Sequence, residues 1–290
     1  MEPLYRIISF PGFVNLVESK TERFVQPTAW EDTYEGYMLR LLEDSSKHKD
    51  VLKVLYELYE KISPDNVFAI VSTYMNLWSA RWLCYGQCWS KTPESDALWR
   101  IYSYDKMAVR IETTDELIHS QLRDSDTLAQ YSCTIDDVNY DLDEGDVLKT
   151  QVELLRNSKR VVEPFYHKRV AFQHENEKRV ILVNKSKLMI DGLSAKGALF
   201  NFEKANAGKN LTTDDMLNEI DKEILKMQYP FEKEKLKTEM FVQISDLSQY
   251  ISSVMVHPQA DDWIVKLVEK ICNRAGINFL GKSHMYDKLV

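Results

Sequence analysis

Two glutamates one residue apart are the side chains best suited to chemistry. Glu175 and Glu177 stand in the stretch FQHENEKRVIL, where an apolar run typical of a β-strand begins. In a strand, side chains two positions apart share a face and lie about 7 Å apart along the chain. We therefore expect the two carboxylates to lie together, as a pair that moves protons or stabilises positive charge in a transition state. The alternative is an edge strand with a wet outer face, on which Lys168, Arg169, Lys178 and Arg179 neutralise the glutamates.

Other familiar catalytic patterns are missing from the sequence. The chain has nine glycines, none of them in a phosphate-binding loop (G-x-x-x-x-G-K-[ST] or G-x-G-x-x-G) or in a G-x-S-x-G nucleophile turn. Cys84 and Cys88 have a weakly zinc-like spacing, but no second pair completes four ligands, so we expect no metal site. Four scattered cysteines are too few for a disulfide framework, and we expect reduced thiols.

Composition and charge limit the classes of protein to consider. The 290 residues are 44% hydrophobic and 28% charged, which is typical of a folded globular protein with a substantial core. The formal charge of −8 argues against broad, nonspecific binding to nucleic acid or anionic membranes. No stretch approaches the ~20 apolar residues of a membrane span, and the start MEPLYRIISF lacks a secretory signal. We therefore expect a cytoplasmic protein without a membrane partner.

Short strands and helices alternate along the chain and must position the two glutamates. β-type patterns occupy residues 4–8, 81–90, 107–113, 133–140, 172–184, 187–192, 198–203 and 240–245. Helical patterns occupy residues 11–20, 36–62 with a break at 45–50, 64–80, 95–103, 113–123, 146–157 and 211–227, and a last amphipathic helix ends at Gly276. The patterns predict one α+β domain over residues 1–290, with short, mostly antiparallel strands in a central split sheet. Helical insertions are expected at 36–80 and 113–160, and a C-terminal strand and helix at 240–276.

A proline-punctuated loop at residues 27–37 is rich in aromatic and acidic side chains. It presents Trp30, Asp32, Tyr34 and Glu35 in quick succession. Such a loop usually lies over a site, because loops carry much of the binding function of proteins. Its two carboxylates then either accept hydrogen bonds within the loop or gate a substrate.

Several short motifs together resemble a family. They are LYR at 4–6, P-x-x-W-x-D-x-Y-E-G at 27–36, CWS at 88–90 with LWRIYS at 98–103, MAVRIE at 107–112, FYHKR at 165–169, ENEKR at 175–179 and V-H-P-x-A at 256–260. This ordered series resembles an uncharacterised bacterial domain-of-unknown-function family whose members are common in mobile genetic islands and near toxin or phage-defence loci. The chain departs from the family pattern in having Thr33 where proline is typical, and Cys88-Trp89-Ser90 where Ser-Leu-Ser is common.

The order of three residue types is similar to that of ADP-ribosyltransferases of the arginine, serine, glutamate branch. Arg6 stands in the opening strand, Ser90 ends a second strand, and Glu175-x-Glu177 opens a third. The resemblance implies that NAD is the substrate and that Glu177 stabilises the ribose cation as nicotinamide leaves. It implies that Glu175 orients or deprotonates the acceptor, a protein or nucleic acid, and that Arg6 pairs with NAD phosphates or ribose.

The remaining implied contacts are with Ser90 and with aromatic rings. Ser90 would position Arg6 or the nicotinamide ribose. An aromatic side chain would stack on the nicotinamide ring, namely Tyr5, Trp89, Trp99 or Tyr102. A toxin or phage-defence setting implies an antitoxin or a defence-system partner.

Alternatives without transferase chemistry stay open. Arg6 could be a strand-end arginine paired with a carboxylate, Ser90 a turn hydroxyl, and Tyr102 a core aromatic. A hydrolase or nuclease would use a magnesium cluster of carboxylates, namely Asp32, Glu35, Glu175 and Glu177. A noncatalytic binding or sensor module would recognise a partner through the loop at 27–37.

Overall fold

The computed structural model describes residues 2–60, 67–123, 129–142, 144–158, 160, 162–185, 197, 200–227 and 238–287. The strands are β1 (Pro3–Ile8), β2 (Thr21–Val25), β3 (Cys84–Ser90), β4 (Val109–Thr114), β5 (Tyr131–Asp137), β6 (Glu177–Asn184), β7 (Glu239–Gln243), β8 (Ser253–Val256) and β9 (Phe279–Lys282). The helices are α1 (Phe10–Ser19), α2 (Tyr37–Leu41), α3 (His48–Glu60), α4 (Val67–Leu83), α5 (Asp96–Tyr102), α6 (Asp115–Arg123), α7 (Val147–Ser158), α8 (200–206), α9 (Thr213–Met227), α10 (Leu247–Tyr250) and α11 (Asp262–Ala275).

All nine strands belong to one sheet. Its order is β5-β6-β3-β1-β4-β8-β9, and a branch from β3 adds β2 and then β7. Every described pairing is antiparallel except that of β8 with β9. The expected fold class, α+β with a mostly antiparallel sheet, is confirmed.

The sheet divides beside β3. β1 and β2 both pair with β3, β1 through Tyr5 opposite Ser90 and β2 through Val25 opposite Gly86. Because these contacts lie at opposite ends of β3, the two strands part between them. The gap is lined by β3 and by Arg6 and is the split that the strand pattern predicts.

Helices cover both faces of the sheet. On one face, α1, α6 and α11 bury an apolar core that includes Phe13, Ile118 and Ile264. A second core joins α2, α3, α4, α7 and α9 to one another. A smaller cluster around Phe165 and Ile181 connects this helical layer to the face of β6 opposite the main core. Glu177 and Arg179 of β6 lie on that second face, whereas Arg6 of β1 and Trp89 of β3 lie on the face of the main core.

Four local predictions need comment. β6 begins at Glu177 rather than at residue 172, because Val170–Glu175 form a 3-10 helix. α4 continues to Leu83, so residues 81–83 are helical rather than extended. The strand predicted at 198–203 is wrong over its described part, which is α8. The strand predicted at 187–192 lies outside the described residues.

No helix within the described ranges is both long enough and apolar enough to cross a bilayer. The expectation of a cytoplasmic location stays a prediction.

Candidate functional site

A tight turn brings the two glutamates together. Glu175 ends a 3-10 helix, Asn176 adopts the left-handed conformation at φ 45°, and Glu177 starts β6. The hydroxyl of Ser90 donates to the Glu175 carbonyl oxygen at 2.7 Å, and the Lys91 amide donates to the Asn176 carbonyl oxygen at 2.9 Å. The prediction that both glutamates lie on one strand face is wrong, but the left-handed residue still makes the carboxyl groups neighbours. They are hydrogen-bonded to each other.

The edge-strand alternative is also wrong. β6 lies between β5 and β3 in the sheet, so it has a partner on each side. Glu175 and Glu177 are only 7% and 6% exposed, and Arg179 is 1% exposed. Charges removed from water to this extent need partners inside the protein.

Lys168 is the central partner. Its ammonium nitrogen lies 2.5 Å from Glu175 Oε2, 3.1 Å from Glu177 Oε1 and 3.1 Å from Glu35 Oε1. The lysine itself is 6% exposed. One buried cation therefore gathers three carboxylates that come from the loop after β2, from the 3-10 helix and from β6.

Arg179 is the second buried cation. Its Nε donates to Glu177 Oε2 at 2.7 Å, its Nη1 donates to the Phe165 carbonyl oxygen at 2.6 Å, and its Nη2 lies 2.6 Å from Glu35 Oε2. The Trp30 ring covers the guanidinium, with its centroid 4.6 Å away. We call Glu35, Lys168, Glu175, Glu177 and Arg179 the buried charge cluster. Its three carboxylates and two cations leave an excess negative charge unless one carboxyl group holds a proton.

The pKa values of the two neighbouring glutamates are driven apart. Burial, and then the hydrogen bond and charge of Glu177, raise the pKa of Glu175 to about 7. Burial would also raise the pKa of Glu177, but Arg179, the hydrogen bond from Glu175 and Lys168 outweigh it and lower this pKa to about 2. Glu177 is thus held ionised, whereas Glu175 gains or loses a proton near neutral pH. Two carboxyl groups with separated pKa values are a common arrangement for acid–base catalysis.

The loop after β2 closes over the buried charge cluster. Asp32 accepts from Arg169 Nη2 at 2.9 Å, and the Tyr34 ring lies 4.1 Å from the Arg169 guanidinium. Trp30 packs onto the sheet at Gly86, where an added Cβ would approach the Trp30 Cζ2 atom to 2.4 Å. The loop is therefore fixed at both ends, and a glycine is needed beneath its tryptophan.

The predicted nucleotide contacts come together, but several already have partners. Arg6 donates to both carboxylate oxygens of Glu22, at 2.8 and 2.9 Å, as its strand-end alternative expects. Its guanidinium lies 4.7 Å from the centroid of Trp89, which is 1% exposed, so a ligand ring reaches Trp89 only by displacing Arg6. Ser90 anchors the glutamate turn. Tyr102 is 47% exposed and is the predicted aromatic contact most open to a ligand.

Two cavities meet at the glutamate pair. The larger, about 610 Å³, fills the split between β1 and β2 and extends under the loop at Trp30. The smaller cavity, about 170 Å³, lies beside the glutamate pair between β1 and α5. Both are lined by Glu175 and Glu177, together with Arg6, Cys88 and Tyr102. Arg6, Ser90 and Glu177 stand on the adjacent strands β1, β3 and β6, with Ser90 directly opposite Glu177 in the register.

The arrangement is unfavourable for the magnesium cluster. Three of its four proposed ligands, Glu35, Glu175 and Glu177, surround the Lys168 ammonium group, and Asp32 is paired with Arg169. A divalent cation would have to displace the lysine. Within the described ranges, no group of three or more His, Cys, Asp or Glu side chains is placed to hold a metal ion.

Sequence reasoning missed the central role of Lys168 and Arg179, which it treated as neutralising charges. The two-residue spacing of Glu177 and Arg179 was a usable signal, because it puts both on one face of β6. Lys168 carried no comparable signal. Its position depends on the 3-10 helix that folds it back onto Glu175.

Comparison of the chain with protein-family models, with curated proteins and with solved structures found no match.

Proposed function

We propose that the chain is an ADP-ribosyltransferase-like enzyme that transfers ADP-ribose from NAD to an acceptor. The observation that carries the proposal is the buried glutamate pair at the meeting point of two cavities. Arg179 stabilises the anion of Glu177, and the pKa of Glu175 is raised, so the pair offers one carboxylate and one proton acceptor. Chemistry at an N-glycosidic bond needs these two functions together.

Glu177 and Glu175 take different roles in the proposed reaction. The bond between ribose C1′ and the nicotinamide nitrogen breaks, its electron pair leaves with nicotinamide, and C1′ becomes cationic. The ionised Glu177 stabilises this cation. The acceptor then forms a bond to C1′, and its proton goes to Glu175, whose raised pKa makes it an effective base near neutral pH.

The larger cavity supports a ligand of nucleotide size. Its volume of about 610 Å³ lies within the ~300–1,000 Å³ range of small-molecule sites. Aromatic side chains for ring stacking line it, namely Trp30, Tyr102 and Phe172. Arg6 lies at the same cavity, but it must share or exchange its Glu22 partner to bind a phosphate or ribose oxygen.

The biological setting rests on the family resemblance alone. A cytoplasmic toxin or phage-defence effector, with an antitoxin or defence-system partner, is the setting that the ordered motifs suggest. A noncatalytic sensor module is the second candidate, and the buried pairing of Arg6 with Glu22 favours it because it leaves fewer groups free for substrate.

The test uses NAD labelled in the adenylate half. Purified wild type, Glu177→Gln, Glu175→Gln and the matched control Glu269→Gln are incubated with labelled NAD and a bacterial lysate. Glu269 is exposed on α11, away from the glutamate pair. Nicotinamide release and label in the protein and nucleic-acid fractions are measured, and thermal unfolding checks that each variant is folded.

We expect turnover by wild type and by Glu269→Gln, and a loss of at least about 100-fold in Glu177→Gln. Glu175→Gln should release nicotinamide more slowly and lose transfer most strongly. If all folded proteins are silent, with and without added Mg²⁺, the transferase proposal is rejected and the sensor module is favoured. Activity that requires Mg²⁺ would instead favour the hydrolase.

A further inference from the structure

The smaller cavity lies between the sheet and α5. The sheet contributes Tyr5 and Ile7 from β1, Ser90 from β3 and Arg110 from β4, and the helix contributes Leu98. Its volume of about 170 Å³ is below the range of drug-sized sites, so it accommodates a single small ring system rather than a dinucleotide.

The glutamate pair forms a wall common to both cavities. A group in the smaller cavity and a group in the larger cavity would each lie against Glu175 and Glu177. A site with two compartments on either side of one proton-exchanging carboxyl group is suited to two substrates. A hydrolase needs only a water molecule in the second compartment, for which apolar walls offer no advantage.

The walls of the smaller cavity favour an uncharged, flat occupant. Pro93 and Leu98 are apolar, and Tyr5 and Tyr102 present rings. The charged groups are already engaged. Arg110 donates to the Pro93 carbonyl oxygen at 2.8 Å and stacks on Tyr5 with 4.8 Å to the ring centroid.

Acidic and basic groups at this cavity are otherwise balanced by internal contacts. Glu94 accepts from the Trp99 indole nitrogen at 2.8 Å and from the Ser283 hydroxyl. Arg6 is held by Glu22. A cationic side chain would meet Arg6 and Arg110, and an anionic one would meet Glu94 and the glutamate pair. Either would lose hydration and would face groups of its own charge.

We infer that the smaller cavity is a subsite for an uncharged heteroaromatic ring of nucleobase size. The inference deepens the proposed function. That the occupant is the acceptor of ADP-ribose rests on the proposed function. A ring or exocyclic nitrogen of the base forms the new bond to C1′ as nicotinamide leaves with the electron pair, and the nitrogen's proton passes to Glu175. Free nucleosides and single-stranded nucleic acid offer the same chemistry.

The first experiment measures binding without NAD. Adenosine, guanosine, cytidine, uridine and nicotinamide are titrated into the full chain by calorimetry, with wild type, Leu98→Phe and Leu98→Met compared. Leu98 is 5% exposed and lines the smaller cavity but not the larger one. The phenyl ring should fill the cavity and weaken nucleoside binding by about tenfold or more, whereas Leu98→Met should bind like wild type.

The second experiment adds labelled NAD together with each nucleoside or a mixed-sequence single-stranded oligonucleotide. Leu98→Phe should reduce label transfer to the base more strongly than it reduces nicotinamide release. Transfer to the oligonucleotide alone would identify nucleic acid as the source of the base, and transfer to free nucleosides would identify small molecules. If Leu98→Phe does not fold, Leu98→Ala replaces it, and the enlarged cavity should shift preference from pyrimidines towards purines.

Three results would overturn the subsite. One is the absence of nucleoside binding by wild type. Another is binding that Leu98→Phe and Leu98→Ala leave unchanged. The third is selective binding of nicotinamide, with its release blocked by Leu98→Phe, which would make the cavity the leaving-group compartment. Leu98-dependent nucleoside binding without any NAD turnover would keep the subsite and reject the proposed transferase function.

Discussion

At the scale of single residues, the pKa difference between Glu175 and Glu177 depends on which partners each one has. Arg179 binds Glu177 but makes no described contact with Glu175, so the arginine stabilises only one of the two anions. The buried charge cluster can therefore hold one proton at Glu175 without losing the ion pair at Glu177. This asymmetry makes two neighbouring glutamates electrostatically distinct.

The raised pKa of Glu175 predicts a pH dependence of stability. The folded state holds the Glu175 proton up to about pH 7, whereas the unfolded chain releases it near pH 4.5. The folded state therefore binds more protons in this interval, and the contribution of Glu175 to stability is complete below the interval and lost as the pH rises through it. Urea denaturation of wild type and Glu175→Gln should show the variant gaining stability relative to wild type between about pH 4.5 and 7, by at most about 1 kcal/mol per pH unit, with no further gain from pH 7 to 8. A constant difference would contradict the assignment.

The contacts of Lys168 predict a loss of stability when its charge is removed. Lys168→Met leaves Glu35, Glu175 and Glu177 without their shared cation, and removal of one partner from a buried ion pair costs about 3–5 kcal/mol. The loss in unfolding free energy should shrink as the pH falls from about 8 to about 5, because the carboxyl groups can then take up protons. The exposed Lys266→Met serves as the control and should change stability little. A pH-independent loss would point to packing rather than charge.

At the scale of elements, the glutamate turn depends on β3. Ser90, Lys91 and Thr92 hold the backbone and side chain of the turn, including an Asn176 Nδ2 to Thr92 Oγ1 hydrogen bond of 3.3 Å. The end of β3 therefore fixes the positions of the two carboxyl groups. Ser90 is a positioning residue in this arrangement.

The left-handed conformation of Asn176 predicts how substitutions in the glutamate turn affect stability. Its φ of 45° disfavours most side chains, so Asn176→Ala should cost roughly 1–2 kcal/mol, whereas Asn176→Gly meets no such strain. If turn geometry sets the catalytic pair, nicotinamide release should fall in the alanine variant and be kept better in the glycine variant. Thermal unfolding and turnover are measured on both. Equal losses would assign the effect to the Thr92 hydrogen bond, which both variants remove.

At the scale of the whole molecule, a buried glutamine of α7 links the helical layer to the loop that covers the site. Gln151 of α7 is 0% exposed; its Oε1 accepts from the Met38 amide at 3.0 Å and its Nε2 donates to the Tyr34 carbonyl oxygen at 3.1 Å. Gln151 thus links the loop that covers the buried charge cluster to the second core, although the two segments are 117 residues apart in sequence. Folding of the helices and closure of the loop should be coupled.

Gln151→Ala tests this coupling. Loss of the two hydrogen bonds should destabilise the protein by about 1–3 kcal/mol and leave the loop at 27–37 more open. Limited proteolysis should then cut this loop faster than in wild type, and NAD turnover should fall. Gln173→Ala is a suitable control, because this glutamine is exposed. Unchanged cleavage of the loop, despite lower stability, would show that the loop closes independently of the helical layer.

The sequence by itself determined the α+β class and most of the elements. Local signals sufficed where one residue decides the backbone, as at Gly276, which ends α11 at φ 70°, and at Thr212, whose hydroxyl accepts from the Asp215 amide at the start of α9. It also predicted the proximity of Glu175 and Glu177, although for a strand geometry that they do not share. In each case the information lies within a few residues.

Only the tertiary structure decided that β6 is an interior strand and that Lys168 lies among three carboxylates. Both depend on contacts between distant segments, such as that between Glu35 and Arg179. The residue type determines that a glutamate can ionise, but burial and the cation that the fold brings to it determine its pKa. Residue types therefore indicated where chemistry is available, and the packing of the loop after β2, β3 and β6 decided which carboxyl group keeps its proton.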